Sequence, residues 1–231
     1  MHIADGVLTF EATAIVSAIS AVALYKAIKE LKNEDISLTA VASAMFFIAS
    51  FIHIPFGVTQ IHLILLGVIG LLISWSSFVA IFIALLLQAL LLGYGGITSL
   101  GVNLFVMATP AVIVYYINKN EIFSKINEKV RFFLIGFLGT FFATLFLVLI
   151  LYFSKTEYEW AAYSKFTVNI LYAAHSYSVL VLILYFSKTE YEWAAYSIFT
   201  VNLFTMTIEG FVSMFLLMFI KKVYPKILEN K

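Results

Sequence analysis

Residues 36–118 read ISLTAVASAMFFIASFIHIPFGVTQIHLILLGVIGLLISWSSFVAIFIALLLQALLLGYGGITSLGVNLFVMATPAVIVYYIN, 83 positions without a single Asp, Glu, Lys or Arg. One membrane crossing takes about 20 residues of helix, so this stretch has room for about four crossings joined by tight turns. Turn-forming residues fall where four crossings need them: Pro55 and Gly57, then Trp75-Ser76-Ser77, then Gly93-Tyr94-Gly95-Gly96. The expected spans are 38–54, 58–74, 77–92 and 100–117. They are continuously apolar rather than alternating, which favours helices over a closed barrel.

Working outward, three further apolar stretches lie near 10–29, 132–153 and 198–220. The whole chain of 231 residues is 63% hydrophobic and 12% charged, with a mean hydropathy of +1.02. Soluble domains are about half apolar and about a quarter charged, so a water-soluble enzyme is excluded as the leading class. A net charge of +1 offers no footprint for nucleic acid. With no cysteine, disulfides, thiolate metal sites and cysteine nucleophiles are excluded too. The expected fold is an all-α integral membrane bundle of about seven transmembrane helices, forming a single domain over 1–231.

Charge sets the expected orientation. Basic residues gather at Lys26, Lys29 and Lys32; at Lys119, Lys125, Lys129 and Arg131; and at Lys221, Lys222, Lys226 and Lys231. Seven spans with the N-terminus outside put all three clusters in the cytoplasm, as the positive-inside rule prefers. The first residues carry Asp5 and Glu11 but no Lys or Arg. They lack the basic start of a signal peptide, so no cleavage is expected and the chain begins at Met1.

One feature does not fit a seven-span plan. Residues 147–169 and 180–202 match at 22 of 23 positions, 33 residues apart, with LVLILYFSKTEYEWAAYS unchanged between them. Solenoid repeats diverge and recur at least three times, so a tandem duplication or an artefact is the expected origin. Removing one unit restores seven spans. If instead 166–186 crosses, there are eight, and the basic tail lies outside against the charge rule. A displaced hairpin or interfacial segment is the favoured placement.

Candidate chemistry is sparse. No nucleotide-cradling GxxxxGK is present, so energy from ATP has to come from another subunit. The histidines are His2, His53, His62 and His175. The Met1 amine, the His2 amide nitrogen and His2 Nδ1 can close two adjacent chelate rings on one cation, three nitrogens in a plane. That geometry suits Ni(II) or Cu(II), and also low-spin Co(II). His62, near the outer start of the third span, is a candidate fourth donor. An exposed terminal histidine without function is the competing reading of His2.

The opening MHIADGVL is similar to the MHIxDGxL start of the cobalt/nickel substrate-capture subunits (CbiM/NikM) of energy-coupling-factor transporters. The resemblance continues in TQIHLILLGVIGLL (59–72), in LQALLLGYGGITSLGVNLFVM (87–107) with its Gln88/Gly95/Gly96/Gly101/Asn103 pattern, and in IEGFVSMFLL (208–217). It implies a prokaryotic cell-membrane subunit that binds Ni(II) or Co(II) from outside, with no prosthetic group. It implies as partners a coupling transmembrane subunit, ATPase subunits and a small accessory membrane protein. The metal ligands it implies are Met1, His2 and His62, and it folds the loop carrying Asp5 and Gly6 into the bundle.

Some residues depart from the pattern or leave choices open. Ala4 stands where the family often has Pro, His53 is not part of the motif, and His175 lies in the duplicated region. Asp5 is either a loop-holding hydrogen-bond acceptor or a simple turn cap. Asn103 is a candidate for orienting His2 or His62. Glu209 falls in mid-span, where a carboxylate has to face the interior, pair or take up a proton. Two rival functions remain: a haem- or quinone-binding subunit of a redox complex, and a stand-alone secondary metal transporter. Nickel and cobalt are not separable from the residues.

Overall fold

The computed structural model describes residues 3, 5–56, 59–154 and 192–229. Helix α1 spans Phe10–Glu30 and begins where the Thr9 hydroxyl accepts from the Ala12 N–H at 3.3 Å. A 3-10 turn at Asn33–Asp35 leads into α2, Ile36–Ala49. Strands β1 (His53–Phe56) and β2 (Thr59–His62) pair antiparallel, with His53 opposite His62 and Pro55 opposite Gln60. Then come α3 (Leu66–Ile73), a 3-10 turn at Ser74–Ser76, α4 (Ser77–Leu92) and α5 (Leu100–Asn118). A short α6 (Glu121–Ser124) precedes α7 (Glu128–Phe153), and the chain closes with α8 (Glu192–Val223) and α9 (Pro225–Glu229).

Each of the seven expected spans contains a helix: α1 to α5, α7 and α8. Among the described residues, five segments are long and apolar enough to cross a membrane, with α3, its following turn and α4 counted as one 27-residue stretch. Large apolar side chains such as Phe10, Val22, Leu90, Leu91, Phe215 and Phe219 stay exposed around the bundle. Such a surface is far too apolar for a water-facing monomer and suits lipid.

The hairpin departs from the expected boundaries. Residues 53–62 were expected at the ends of helical spans 38–54 and 58–74. Pro55 supplies no N–H for a helix and restricts the residue before it, while Ile54 and Ile61 are β-branched. A proline is tolerated in a two-stranded pair because one side of each strand lacks a ladder partner. As a result α3 has only 8 residues, roughly 12 Å of helix against a hydrocarbon core of about 30 Å. Short helices and irregular backbone survive at membrane depth when protein covers them. All eight residues of α3 are buried.

α3 is wedged between α5 and α7 and also touches α8. Two glycines permit this. A Cβ at Gly67 would overlap the Ile135 carbonyl and the Gly136 backbone on α7, and one at Gly70 would overlap the Ala111 backbone on α5. Lipid is as apolar as leucine, so close backbone approach at small residues is what draws such helices together. Around this centre α7 packs along α8, α1 and α4 pack on α5, and α2 packs on α4.

The duplicated segment is divided by the described residues. The end of α7 comes from the first copy and the start of α8 from the second. Residues 155–191, with His175 and the expected displaced segment 166–186, lie outside the described residues.

Candidate metal centre

Two anchors hold the backbone beside the expected ligands. The first grips the chain start. Ile3 is 3% exposed, and its N–H donates to Asn103 Oδ1 at 2.7 Å while Asn103 Nδ2 donates back to the Ile3 carbonyl at 2.9 Å. Only one orientation of the amide satisfies both bonds, so the Asn103 side chain acts as a strand partner for one residue. Ser99 Oγ donates to the same Ile3 carbonyl at 2.8 Å. Asn103 and Ser99 are both buried, one turn apart at the start of α5. Asn103 thus spends its amide on the Ile3 peptide group.

Asp5 completes this latch. Its Oδ1 accepts from the Ser99 N–H at 2.9 Å, placing an acidic group at the N-terminal end of α5, where backbone donors are unsatisfied. The carboxylate occupies the space that a Cβ on Gly96 would need. Partial burial raises the Asp5 pKa, but hydrogen bonds from Thr98 and Ser99 outweigh it and hold the carboxyl below its ordinary 3.8. Gly6 then turns the chain at φ +81, a conformation that only glycine adopts freely. Thr9 N–H donates to Ser154 Oγ at 2.8 Å, tying the loop's far end to the end of α7.

The second anchor grips the segment after His62. Glu209, 0% exposed on α8, accepts from the backbone N–H groups of Ile64 and, at 3.2 Å to Oε2, of Leu65. These groups precede α3, whose N-cap, Leu65, is in the left-handed region at φ 58 and makes no side-chain cap bond. A bulky residue there is strained by about 1 kcal/mol or more, and it persists because a buried carboxylate fixes it from the neighbouring helix. Glu209 therefore has backbone partners for its carboxyl oxygens in mid-span, at a helix N-terminus where N–H groups lack intrahelical acceptors.

The sequence left three things unseen. Ser99 and Ser154 are ordinary serines in apolar or polar context, with no motif to mark them. The register pairing of His53 with His62 was hidden because the two were assigned to separate spans. Met1 and His2 lie outside the described residues, and for His62 only the backbone is described. Among the described residues, no cluster of three or more His, Cys, Asp or Glu could hold a metal ion, so a carboxylate-built cation site has no basis there.

Comparison with known proteins decides the family. The profile for the cobalt uptake substrate-specific transmembrane region, CbiM, matches residues 2–227. The chain belongs to the CbiM family. As a CbiM-family chain with several apolar helices it is a multi-pass membrane protein. It is 40% identical to a putative metal transport protein of Haemophilus influenzae over 57% of this chain and 64% of that one. It is 32% identical to the fused nickel transport protein NikMN of Rhodobacter capsulatus over 49% of this chain and 35% of that one. These matches span about one to two thirds of the curated relatives' length. A crystal structure of a truncated transition metal transporter superposes with a TM-score of 0.62 at 26% identity, covering 94% of this chain and 98% of that chain.

Proposed function

We propose that this CbiM-family chain captures Ni(II) or Co(II) from outside the cell with four nitrogen donors: the Met1 amine, the His2 amide, the His2 ring and the His62 ring. The observation that carries this reading is the pair of anchors. Each grips backbone two or fewer residues from an expected donor, by Asn103 and Ser99 at Ile3 and by Glu209 at Ile64. Two residues of chain reach at most about 7 Å, which bounds how far each donor's backbone can lie from its anchor. Ligands held this way spend little entropy when the metal arrives, and planar nitrogen ligation selects d-block ions over Ca²⁺ or Mg²⁺.

In this reading the metal is cargo, and no step is catalysed. Binding expels a proton from the amine, whose free pKa is about 7.7–8.0, and another from the His2 amide. Asp5, Asn103 and Glu209 act on the backbone beside the donors and do not touch the ion. The basic ends of the helices fit a cytoplasmic side opposite the site, and transport then draws on ATPase subunits through a coupling membrane subunit, with a small accessory membrane protein beside them. Titration calorimetry of the purified chain with Ni(II) and Co(II) tests the donor set. His2→Ala and His62→Ala should each abolish tight binding, while His175→Ala leaves it intact; unchanged affinity in either of the first two variants would remove that donor from the account.

A further inference from the structure

At the end of the bundle where basic residues gather, α5, α7, α8 and α9 close around a cavity of about 160 Å³. Its rim carries an ion pair between Lys221 and Glu128, so those two charges are mutually spent. Two polar atoms in its lining are buried without partners: Arg131 Nε, a donor on a permanent cation, and Asn118 Oδ1, an acceptor. Among the described residues no carboxylate pairs with Arg131. The rest of the wall is apolar, from Phe132, Pro225 and Leu228. Buried polar atoms normally have partners, and here one donor on a cation and one bare acceptor face the same space.

We propose that this cavity seats the headgroup of an anionic phospholipid of the phosphatidylglycerol type. A phosphate oxygen accepts from Arg131 Nε, a headgroup hydroxyl donates to Asn118 Oδ1, and the apolar wall meets the glycerol backbone and the first acyl carbons. Guanidinium is well suited to phosphate oxygens. Basic pockets between helix ends on the basic side of a membrane protein are where anionic headgroups bind. The exposed ridge of Phe211, Phe215 and Phe219 on α8 ends within one turn of Lys221 and offers an apolar track for an acyl chain. The site is remote in sequence from the metal ligands and does not depend on them.

The test uses the full chain in nanodiscs of pure phosphatidylcholine and in nanodiscs doped with phosphatidylglycerol. The readouts are the thermal midpoint and the lipid retained in native mass spectrometry. Phosphatidylglycerol should raise the midpoint and remain bound to the native chain. Arg131→Gln should weaken retention at least about fivefold, the effect of one basic residue at an anionic surface, and Lys29→Gln should leave it unchanged. Leu228→Trp, which fills the cavity and keeps every charge, should also lose the lipid, and it carries the test alone if Arg131→Gln fails to fold. Full retention in Leu228→Trp, or equal loss in Lys29→Gln, would overturn the assignment. So would inorganic phosphate reproducing the midpoint shift in phosphatidylcholine, since a free anion would then be the occupant.

Discussion

The interior around α3 and the segment around Ile3 are held in opposite ways. At α3 the contacts are backbone against backbone, made possible by Gly67 and Gly70 and repeated over the whole helix. At Ile3 the hold is a few hydrogen bonds from Asn103 and Ser99, with Asp5 bonded alongside. The first kind of contact tolerates no added atom and has no adjustable part. The second fixes a short irregular peptide while leaving it removable one bond at a time. A membrane protein that has to hold a short irregular peptide inside its bundle needs the second kind resting on the first.

Substitutions should separate the two regimes. Gly70→Val drives a side chain into the Ala111 backbone, where nothing can rotate away. The expected outcome is loss of folded, monodisperse protein in size-exclusion chromatography, because overpacking against main chain exceeds the usual 1–3 kcal/mol. Glu209→Gln should leave the helices assembled but weaken metal binding about tenfold or more, as loss of a group that orients ligand-bearing backbone does. Calorimetry beside circular dichroism distinguishes these outcomes. Asn103→Ala leaves the Ile3 N–H and carbonyl short of partners, costing about 1–3 kcal/mol locally. It should speed hydrogen exchange at Ile3 without affecting α3.

The smallest expected effect is a pH effect. The Asp5 carboxyl is held below 3.8, so its contribution is complete above that value and is lost as pH falls through the lower folded-state pKa. Near neutral pH Asp5 stays charged throughout, so it contributes nothing to any fall in metal affinity between pH 9 and 6. An Asp5→Asn variant should therefore keep the neutral-range pH profile of metal binding; a flattened profile would merge the two regions that the comparison separates.

The duplicated unit offers a further check. Deleting 165–197 yields the same sequence as deleting 155–187 and leaves only Ser-Lys-Thr-Glu-Tyr between the end of α7 and the start of α8. With Ser154 retained after Phe153 that linker is five residues, which suits neighbouring helices that pack along each other. The deletion should preserve membrane insertion and metal binding. Loss of binding in a deletion that still inserts would make the unit part of the working fold.

Much of the bundle was legible because helices in lipid announce themselves by charge-free length. The uncharged run 36–118 located α4 and α5 to within one residue, whereas the hairpin cuts α2 and α3 short of their expected spans, and Gly93 ends α4 in the left-handed conformation that its turn needs. The hairpin was not legible, since apolar residues 53–62 carry no period that separates a short strand from a helix end. At the site, a mid-span carboxylate singled out Glu209, but its partners are backbone N–H groups of Ile64 and Leu65, and backbone donors leave no mark in a sequence. Ser99 was missed for the same reason: what it bonds is the Ile3 carbonyl and the Asp5 carboxylate.

The central claim is that the chain start itself is the chelate, held next to the Ile3 latch. The most direct measurement compares metal content and affinity of the chain beginning at Met1 with those of a chain carrying one extra residue before it. Both are purified through a C-terminal tag and assayed for Ni(II) and Co(II). The extension replaces the Met1 amine by an ordinary amide and displaces the new amine from the chelate plane. The account predicts tight binding, rising with pH through about 7.7–8.0 as the amine loses its proton, in the first protein and none in the second, with identical helical content in both. Undiminished affinity in the extended chain would contradict it and place the metal elsewhere.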